Sequence, residues 1–573
     1  MERAGIARIG QALVALIARA ISGGGGGWPE RLAVLLLGLG AFLLVVGPAP
    51  LDPTNIAWLG EADAATNYLG WAFFRSSPWG WPLAANPAYG LDIAGSVMMA
   101  DANPLMALPF KLLGPLLPTP FQYFGLWLLL CFLLQGLFAH GIARKITPHA
   151  EQRLAIVLLF LFTPFFLIRI ATPAVFHMTL VGQWQILAAL CLYLSPDLRR
   201  RAGWWAVLLG IAILTHPYLF ALVAAIWLAD IFRALIAARQ QPMTILLGAL
   251  LGPLAVLILA KLSGVFWLQG AGVDTASAKT MSVEWGFAIY KANLLTAFDP
   301  DGWSLLLPDI RTKPEQIEGF AYLGLGMLLL LIATLFALRR LGPWLRLERQ
   351  HWPLALILIG CALFSLSDYV ELGEHMLHLP WPAPLIGLGN MFRSTGRFVW
   401  PVAYVVMILI LWAIAVGWQR PIASALLAVA AVVQIVDTSA GWRAYASIFG
   451  RQGSSWPTGL TSPFWAEAHG RYSAIRLVVP RNHAAFYRDL DMWALDQGIG
   501  TDITYLARYD RGAMERLIRL RAAQFAGNRL RRDTLWILDG LPTDRIAAMK
   551  LQPGDFVGIV DGLPLFAPGL RRR

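Results

Sequence analysis

Residues 398–417 have the sequence FVWPVAYVVMILILWAIAVG, which contains no charged side chain. A helix needs about 20 predominantly apolar residues to cross a hydrocarbon core about 30 Å thick, so this stretch predicts a membrane-spanning helix. Similar apolar stretches recur along the chain. Together they predict about eleven transmembrane helices, the others lying near 31–49, 120–142, 153–170, 178–195, 203–216, 218–236, 243–262, 319–338, 352–368 and 421–438.

The composition of the chain agrees with a membrane location. Hydrophobic residues make up 57% of the 573 residues and charged residues only 14%, which excludes an ordinary soluble globular protein. A formal net charge of +12 is also found in proteins that bind nucleic acid. Here the basic clusters flank apolar spans or lie in a short C-terminal region, so we expect anionic membrane lipids as partners and no nucleic acid.

The connections between the predicted spans alternate in character. Basic connections lie near 144–153, 199–201, 233–239 and 339–349, and longer, less basic ones at 50–119, 265–318 and 369–397. Because Lys and Arg favour the cytoplasmic side, the long connections are expected to face outward. With a cytoplasmic N-terminus and an odd number of spans, the C-terminal region also lies outside. This pattern predicts a multi-pass protein of a bacterial inner membrane with a periplasmic C-terminal domain.

Three regions follow from this organisation. Residues 1–30 predict an interfacial amphipathic helix and a glycine linker, and residues 31–439 predict the transmembrane domain. Residues 440–573 are richer in charge and predict a small α/β domain. Its expected strands are 476–479, 503–506, 534–538 and 556–560, and its expected helices are 484–497, 511–526 and 542–550.

The first outward loop is the most informative segment for function. It begins with GEADAATNYLGW at residues 60–71 and runs for about 70 residues, a length at which loops are usually functional or disordered. Its Trp and Pro content favours order. Asp63 follows the first span closely, so its carboxylate can reach a site at the membrane surface without being buried in lipid.

An acidic residue in this position resembles the signature of the GT-C superfamily of membrane glycosyltransferases. Residues 63–75 and the stretch Asn86-Pro87-Ala88-Tyr89-Gly90 are similar to a bacterial membrane-protein family assigned to that superfamily, and residues 318–324 are similar to a second segment of it. The resemblance implies a GT-C-like fold and transfer of a sugar from a polyprenyl-phosphate donor. The acceptor would be a lipid, a polysaccharide or a protein.

The resemblance also implies roles for individual residues. Asp63 would be the catalytic base that removes the acceptor's proton. Arg393 and Arg397, spaced to share a helix face, would bind the donor phosphate, with Arg169 and Lys291 as further phosphate partners. The expected substrate-binding residues are Glu61, Tyr68, Arg75, Tyr89, Asp92, Asp101, His216 and Glu318.

A metal ion and two histidines complete the list of candidates. Glu61, Asp63, Asp92 and Asp101 are hard oxygen ligands in one loop, so a divalent ion such as Mg²⁺ or Mn²⁺ is possible. No Trp-Trp-Asp motif occurs in the C-terminal region, which disfavours protein N-glycosylation and an obligatory metal. His216 and His177 lie near span ends, where a histidine is more often structural than catalytic.

Two other functions compete with glycosyl transfer. An O-antigen ligase or polymerase would carry its dominant outward loop late in the chain, whereas the longest loop within the membrane region here is the first. A transporter or flippase is expected to show internal repeats and ionisable residues deep within spans. No clear repeat occurs, and charges within the predicted spans are scarce.

Overall fold

A computed structural model describes residues 27–93, 95–170, 176–195, 198–237, 242–264, 287–341, 349–507, 509 and 511–570. The predicted N-terminal amphipathic helix and most of its glycine linker lie outside these residues. Residues 265–286 of the second long loop lie outside them as well.

The described part of the chain up to residue 449 is mostly helical. Its first helices are α1 (Trp28–Val45), α2 (Ala62–Ser76), α3 (Pro104–Leu112), α4 (Phe124–Ile146), α5 (Ala150–Leu161), α6 (Pro164–Leu167), α7 (Trp184–Tyr193), α8 (Leu198–Thr215), α9 (Pro217–Ala237) and α10 (Pro242–Ser263). Those that follow are α11 (Leu325–Leu341), α12 (Trp352–Leu366), α13 (Ala383–Phe392), α14 (Val399–Gly417), α15 (Arg420–Asp437), α16 (Ser439–Arg443) and α17 (Ala446–Phe449). A hairpin of β1 (Tyr369–Leu372) and β2 (His375–His378) separates α12 from α13.

Among the described residues, six helices are long and apolar enough to cross a membrane: α1, α4, α9, α10, α14 and α15. Each coincides with a predicted span. The predicted spans 178–195, 203–216 and 352–368 fall on the shorter apolar helices α7, α8 and α12.

Two predicted spans are not continuous helices. The span predicted at 153–170 is interrupted between α5 and α6, where Pro164 begins the second helix. The span predicted at 319–338 becomes helical only at Leu325, because Gly324 has a φ of +88° and the preceding residues are extended. Hydropathy detects apolar composition but not such interruptions.

Gln434 of α15 satisfies backbone groups at both interruptions. Its buried side-chain amide donates to the carbonyl of Phe162 at 3.2 Å and to the carbonyl of Leu323 at 3.0 Å, and its oxygen accepts from the N–H of Met327 at 3.3 Å. Backbone groups without a partner are costly in an apolar interior, so broken helices there depend on polar side chains of their neighbours.

The first long loop is ordered around helix α2. The indole N–H of Trp71 donates to the carbonyl of Phe121 at 2.8 Å, and the amide of Asn67 donates to the carbonyl of Ala100 at 2.9 Å. Residues 64–74 are buried throughout. The loop is therefore a packed platform whose helix begins beside Asp63.

The C-terminal region forms a small sheet with helices. Its strands are β3 (Ala474–Leu477), β4 (Gly500–Thr501), β5 (Thr534–Ile537), β6 (Phe556–Val560) and β7 (Leu563–Ala567), and its helices are α18 (Phe464–Glu467), α19 (Tyr487–Asp496), α20 (Arg511–Ala526) and α21 (Thr543–Ala547). The strand order is β4-β3-β5-β7-β6. Strands β3, β4 and β5 are parallel, and β7 is antiparallel to both β5 and β6.

One expected strand of this domain is wrong. Residues 503–506 bond to a neighbouring loop instead of the sheet: the N–H of Leu506 donates to the Asn482 side chain, and the carbonyl of Thr504 accepts from His483. The pairing strand is the short β4 just before them. Strand β7 was not expected, and it pairs with β6 through the tight turn at Asp561 and Gly562.

The first long loop extends the C-terminal sheet. The N–H groups of Gly90 and Leu91 donate to the carbonyl of Thr501 at 2.9 and 3.0 Å, and the N–H of Thr501 donates to the carbonyl of Ala88 at 2.9 Å. Residues 88–91 thus cover the edge strand β4. The backbone N–H and C=O groups of this edge strand, which would otherwise remain unpaired, thus form hydrogen bonds that join the two domains.

The backbone at the start of the first long loop packs directly against helix α4. A Cβ built on Gly125 of α4 would lie 1.7 Å from the carbonyl oxygen of Pro50, whereas Gly40 of α1 has nothing within 4 Å. We expect Gly125→Ala to lower the melting temperature in detergent by several degrees, because overpacking against backbone costs about 1–3 kcal/mol. Gly40→Ala is the matched control and should leave the melting temperature unchanged or slightly higher. Equal melting temperatures for both variants would contradict this packing.

Candidate functional site

Five ionisable side chains meet beside the first long loop. They come from five separate segments: Asp63 from the first turn of α2, Arg169 from the turn after α6, His177 from the start of a 3₁₀ turn at Met178–Val181, Glu318 from a 3₁₀ turn at Pro314–Gly319, and Arg397 from a 3₁₀ turn at Thr395–Phe398 that leads into α14. We call this group the ion-pair cluster.

Glu318 is the centre of the cluster. Its Oε2 accepts from Nη1 of Arg169 at 2.8 Å and from Nε of Arg397 at 2.8 Å. The second terminal nitrogen of Arg169 donates to the carbonyls of Ile317 and Glu318 at 2.9 and 3.0 Å. All three side chains are buried, so each charge depends on the others for stabilisation.

His177 connects this buried centre to Asp63. Its Nε2 donates to Oδ2 of Asp63 at 2.9 Å, and its Nδ1 lies 3.7 Å from Oε1 of Glu318. The Asp63 side chain is 27% exposed whereas that of Glu318 is 7% exposed. Asp63 is therefore the carboxylate of the cluster that an external molecule can reach.

The surroundings keep both carboxyl groups ionised. Burial raises the pKa of Asp63, but the charge and hydrogen bond of His177 outweigh it and hold that pKa below its ordinary value. Burial acts in the same direction on Glu318, yet the charges of Arg397, Arg169 and His177 hold its pKa well below the usual range. At neutral pH both groups are carboxylates that accept hydrogen bonds.

A second chain of contacts approaches Arg397 from the other side. Its guanidinium carbon lies 4.4 Å from the ring centroid of Tyr218, which stacks on His216 at 5.5 Å. Nε2 of His216 lies 3.7 Å from Oδ1 of Asp101. The Tyr218 hydroxyl accepts from the N–H of Ser394 at 2.8 Å. Asp101 and His216 thus lie next to the ion-pair cluster.

Arg169 and Arg397 differ in how many of their guanidinium nitrogens are hydrogen-bonded within the cluster. Arg169 uses both terminal nitrogens within the cluster, whereas Arg397 uses only Nε. Within the described part of the chain, the terminal nitrogens of Arg397 therefore make no hydrogen bond. The buried hydroxyls of Ser394 and Thr395 also have no hydrogen-bond partner among the described residues. Arg397 thus presents a fork suited to an anion, with hydroxyl donors close to it in sequence.

Five of the expected loop residues lie outside the cluster. Glu61 pairs with Arg451 at 2.8 Å, and Asp92 pairs with Arg476 at 2.5 Å, so both connect the loop to the C-terminal domain. The remaining three have structural contacts: Arg75 donates to carbonyls of residues 114, 117 and 118, the Tyr68 ring packs edge-on against Trp456, and Tyr89 is buried beside β4.

Lys291 and Arg393 also have other neighbours. The buried Lys291 ammonium pairs with Glu371 of β1 at 3.0 Å, and Arg393 lies 5.7 Å from the ring centroid of Tyr290. Arg393 has a positive φ of 52° at the end of α13, and Arg397 lies in the next turn. The two arginines therefore do not share the continuous helix that their spacing suggested.

His177 is the residue of the cluster that the sequence did not assign to the site. One signal that points to it is that it lies at a predicted span boundary, as do the ionisable residues Arg169, Glu318 and Arg397. Ionisable groups at such boundaries are costly unless paired. A histidine at a span boundary is therefore a candidate partner for acidic side chains near the same membrane surface.

The possible metal ligands of the loop do not converge. Asp63 is bound by His177, and Glu61 and Asp92 point to arginines of the C-terminal domain. Among the described residues, no group of three or more His, Cys, Asp or Glu side chains is arranged to hold a metal ion.

Comparison with protein families places this site in a defined context. A family model described as DUF6311, a domain of unknown function, matches residues 35–439, more than half of the chain, and the DUF6311 C-terminal domain model matches residues 464–568. The chain belongs to the DUF6311 family. All five residues of the ion-pair cluster fall within the first match. No curated protein matches the chain.

The ion-pair cluster predicts a specific acid sensitivity of the DUF6311 chain. Because the folded-state pKa of Glu318 is lowered, its ionisation stabilises the fold above the unfolded pKa of about 4.5, and that stabilisation is lost as the pH falls towards the folded pKa. Each pH unit in this window costs about 1.4 kcal/mol. We expect Glu318→Gln to melt well below wild type at pH 7, and the difference to shrink below pH 4.5.

Melting in detergent from pH 7 to pH 3.5 measures this effect. The control is Glu374→Gln on the exposed turn of the hairpin, which should follow the wild-type curve at every pH. A constant difference between wild type and Glu318→Gln across the whole range would mean that Glu318 is not ionised in the fold.

Proposed function

We propose that this protein is a membrane glycosyltransferase that transfers a sugar from a polyprenyl-phosphate donor to an acceptor hydroxyl, with inversion at the anomeric carbon. The observation that carries the proposal is the connection between the accessible carboxylate of Asp63 and the available guanidinium fork of Arg397, through His177 and Glu318. Such a transfer needs a base for the acceptor and a cation for the leaving phosphate.

Asp63 is suited to act as the base. Oδ2 is bound to His177, so Oδ1 is the oxygen that accepts the acceptor's proton as the new carbon–oxygen bond forms. In the same step the bond from the anomeric carbon to the phosphate oxygen breaks. His177 acts as a positioning residue that fixes the carboxylate in one orientation.

Arg397 is suited to stabilise the departing phosphate. Its Nε is fixed by Glu318, and its terminal nitrogens can donate two parallel hydrogen bonds to phosphate oxygens. Glu318 and Arg169 hold this guanidinium in place. Of the four expected phosphate-binding residues, Arg397 is therefore the one that we assign to the donor, with Arg169 as its structural support.

The topology that accompanies this proposal has eleven spans in a GT-C-like arrangement in a bacterial inner membrane. The six long apolar helices would be joined by the shorter ones and by the interrupted α5–α6 segment. The long loops and the C-terminal domain would face the periplasm, where the acceptor hydroxyl is found. A divalent ion is not required by the groups assigned here.

A lipid transporter is the second candidate, supported by a buried ion cluster at the opposite end of α1. There Glu30 pairs with Arg153 at 2.5 Å and with His140 at 2.8 Å. Buried ionisable groups at both ends of a helix bundle are also found along transport pathways. The experiments below separate the two candidates, because only a transferase consumes its bound lipid.

Replacing the proposed phosphate-binding arginine gives the first test. We expect wild-type protein purified in detergent to retain a polyprenyl-phosphate sugar that mass spectrometry detects, and Arg397→Ala to lose it, since the bidentate contact is gone. Arg451→Ala, whose arginine is exposed and pairs with Glu61, is the matched control and should retain the lipid. Phospholipid alone in wild type would favour the transporter candidate.

Replacing Asp63, the proposed base, should increase the amount of bound donor that mass spectrometry detects, whereas replacing Arg397 should decrease it. Asp63→Asn should bind the donor without consuming it, because loss of a general base slows transfer by about 10²–10⁴-fold. We therefore expect more bound donor per protein than in wild type. Glu61→Gln, two residues away but directed to the C-terminal domain, should behave as wild type. Undiminished turnover by Asp63→Asn would remove the base assignment.

A further inference from the structure

The segment between the hairpin and Arg393 is strongly apolar and largely exposed among the described residues. Residues 379–392, LPWPAPLIGLGNMF, contain no charged side chain, and most of them are exposed on the surface of the chain. Helix α13 forms the last ten residues of this segment. In water, an exposed segment of this composition would be unfavourable.

Two residues of helix α13 pack against described parts of the chain. Gly389 packs so closely against the ring of Phe287 that a Cβ there would lie 2.3 Å from it, and Phe392 makes an edge-to-face contact with Phe398 at 5.0 Å. Leu385, Leu388 and Met391 are exposed and spaced three residues apart, which spreads them over an arc of about 120° beside Phe392. This spacing places them on one face of the helix.

The length of α13 excludes a membrane span. Its ten residues rise about 15 Å, half of the hydrocarbon thickness. Trp381 precedes the helix and stacks on Phe364 at 5.9 Å, and Arg393 follows it. An aromatic ring and a cation at the two ends of an apolar segment are typical of residues at the level of lipid headgroups.

The two helices on either side of α13 in the sequence also carry exposed apolar side chains. On α12, Leu363 is exposed one turn before the end that leads into the hairpin, and on α14, Leu409 is exposed further along the helix. Helix α14, a candidate membrane span, begins seven residues after α13 ends. If α14 spans the bilayer, its exposed side chains face lipid close to the end of α13.

We propose that helix α13 lies along the headgroup boundary of one leaflet of the bilayer, with Leu385, Leu388 and Met391 on acyl chains and Trp381 and Arg393 among headgroups. The molecules that cover the exposed face of the helix are the lipids of the leaflet next to the ion-pair cluster. The helix would hold the 3₁₀ turn with Arg397 at headgroup depth. Such lipid contact does not depend on sugar transfer.

Spin labels at single cysteines test this placement. Cys131, Cys191 and Cys361 are first replaced by alanine, and a label is attached at Leu388→Cys or Leu385→Cys in separate variants reconstituted into phosphatidylcholine–phosphatidylglycerol vesicles. Power saturation then compares collision with oxygen, which concentrates in lipid, and with a water-soluble nickel chelate. Leu409→Cys on α14 is the lipid-facing control, and Ile559→Cys on β6, 74% exposed, is the water-facing control.

We expect both α13 labels to collide with oxygen as Leu409→Cys does, and with the nickel chelate several-fold less than Ile559→Cys does. Collision with the chelate at the Ile559→Cys level would overturn the proposal by placing the helix in water. Protection from both reagents would overturn it by placing a protein partner or a second copy on this face. Two label positions keep the test valid if one variant fails to fold.

Discussion

The site depends on one buried carboxylate held between two guanidinium groups. Oε2 of Glu318 accepts from Arg169, 149 positions earlier in the chain, and from Arg397, 79 positions later. Removing one partner of such a buried pair costs about 3–5 kcal/mol, so the three segments are fixed relative to one another. His177 and then Asp63 are positioned from this centre. The position of the accessible Asp63 carboxylate is therefore determined by buried side chains that an external molecule does not contact.

Much of the helical framework could be predicted from composition alone. Residues 398–417 and the other long apolar stretches coincide with helices because twenty uncharged residues have few alternatives in a membrane. The interruptions at Thr163 and Gly324 could not be predicted in this way. They depend on the amide of Gln434, whose hydrogen bonds reach the carbonyls of residues far from it in sequence. A polar residue within a predicted span was the available hint.

The candidate site was predictable in part. Arg169, Glu318 and Arg397 could be singled out because each is ionisable at a predicted span boundary, and Asp63 because of its place in the first long loop. Their mutual pairing is a property of the fold. Glu61 lies only two positions from Asp63, yet it precedes the helix and turns towards Arg451. Closeness in sequence does not show that one of these carboxylates faces the ion-pair cluster and the other faces the C-terminal domain. The role of the first loop as an extra edge of the C-terminal sheet was likewise invisible to local patterns.

That shared sheet edge has a consequence for how the protein is made. Asp92 lies 384 positions before its partner Arg476, and ribosomes add about 5–20 residues per second. The first loop therefore waits on the order of 20–80 s before its pairing strand exists. The contact between the loop and the sheet edge can therefore form only after most of the chain has been synthesised. Until then the backbone groups of residues 88–91 have no strand β4 to pair with.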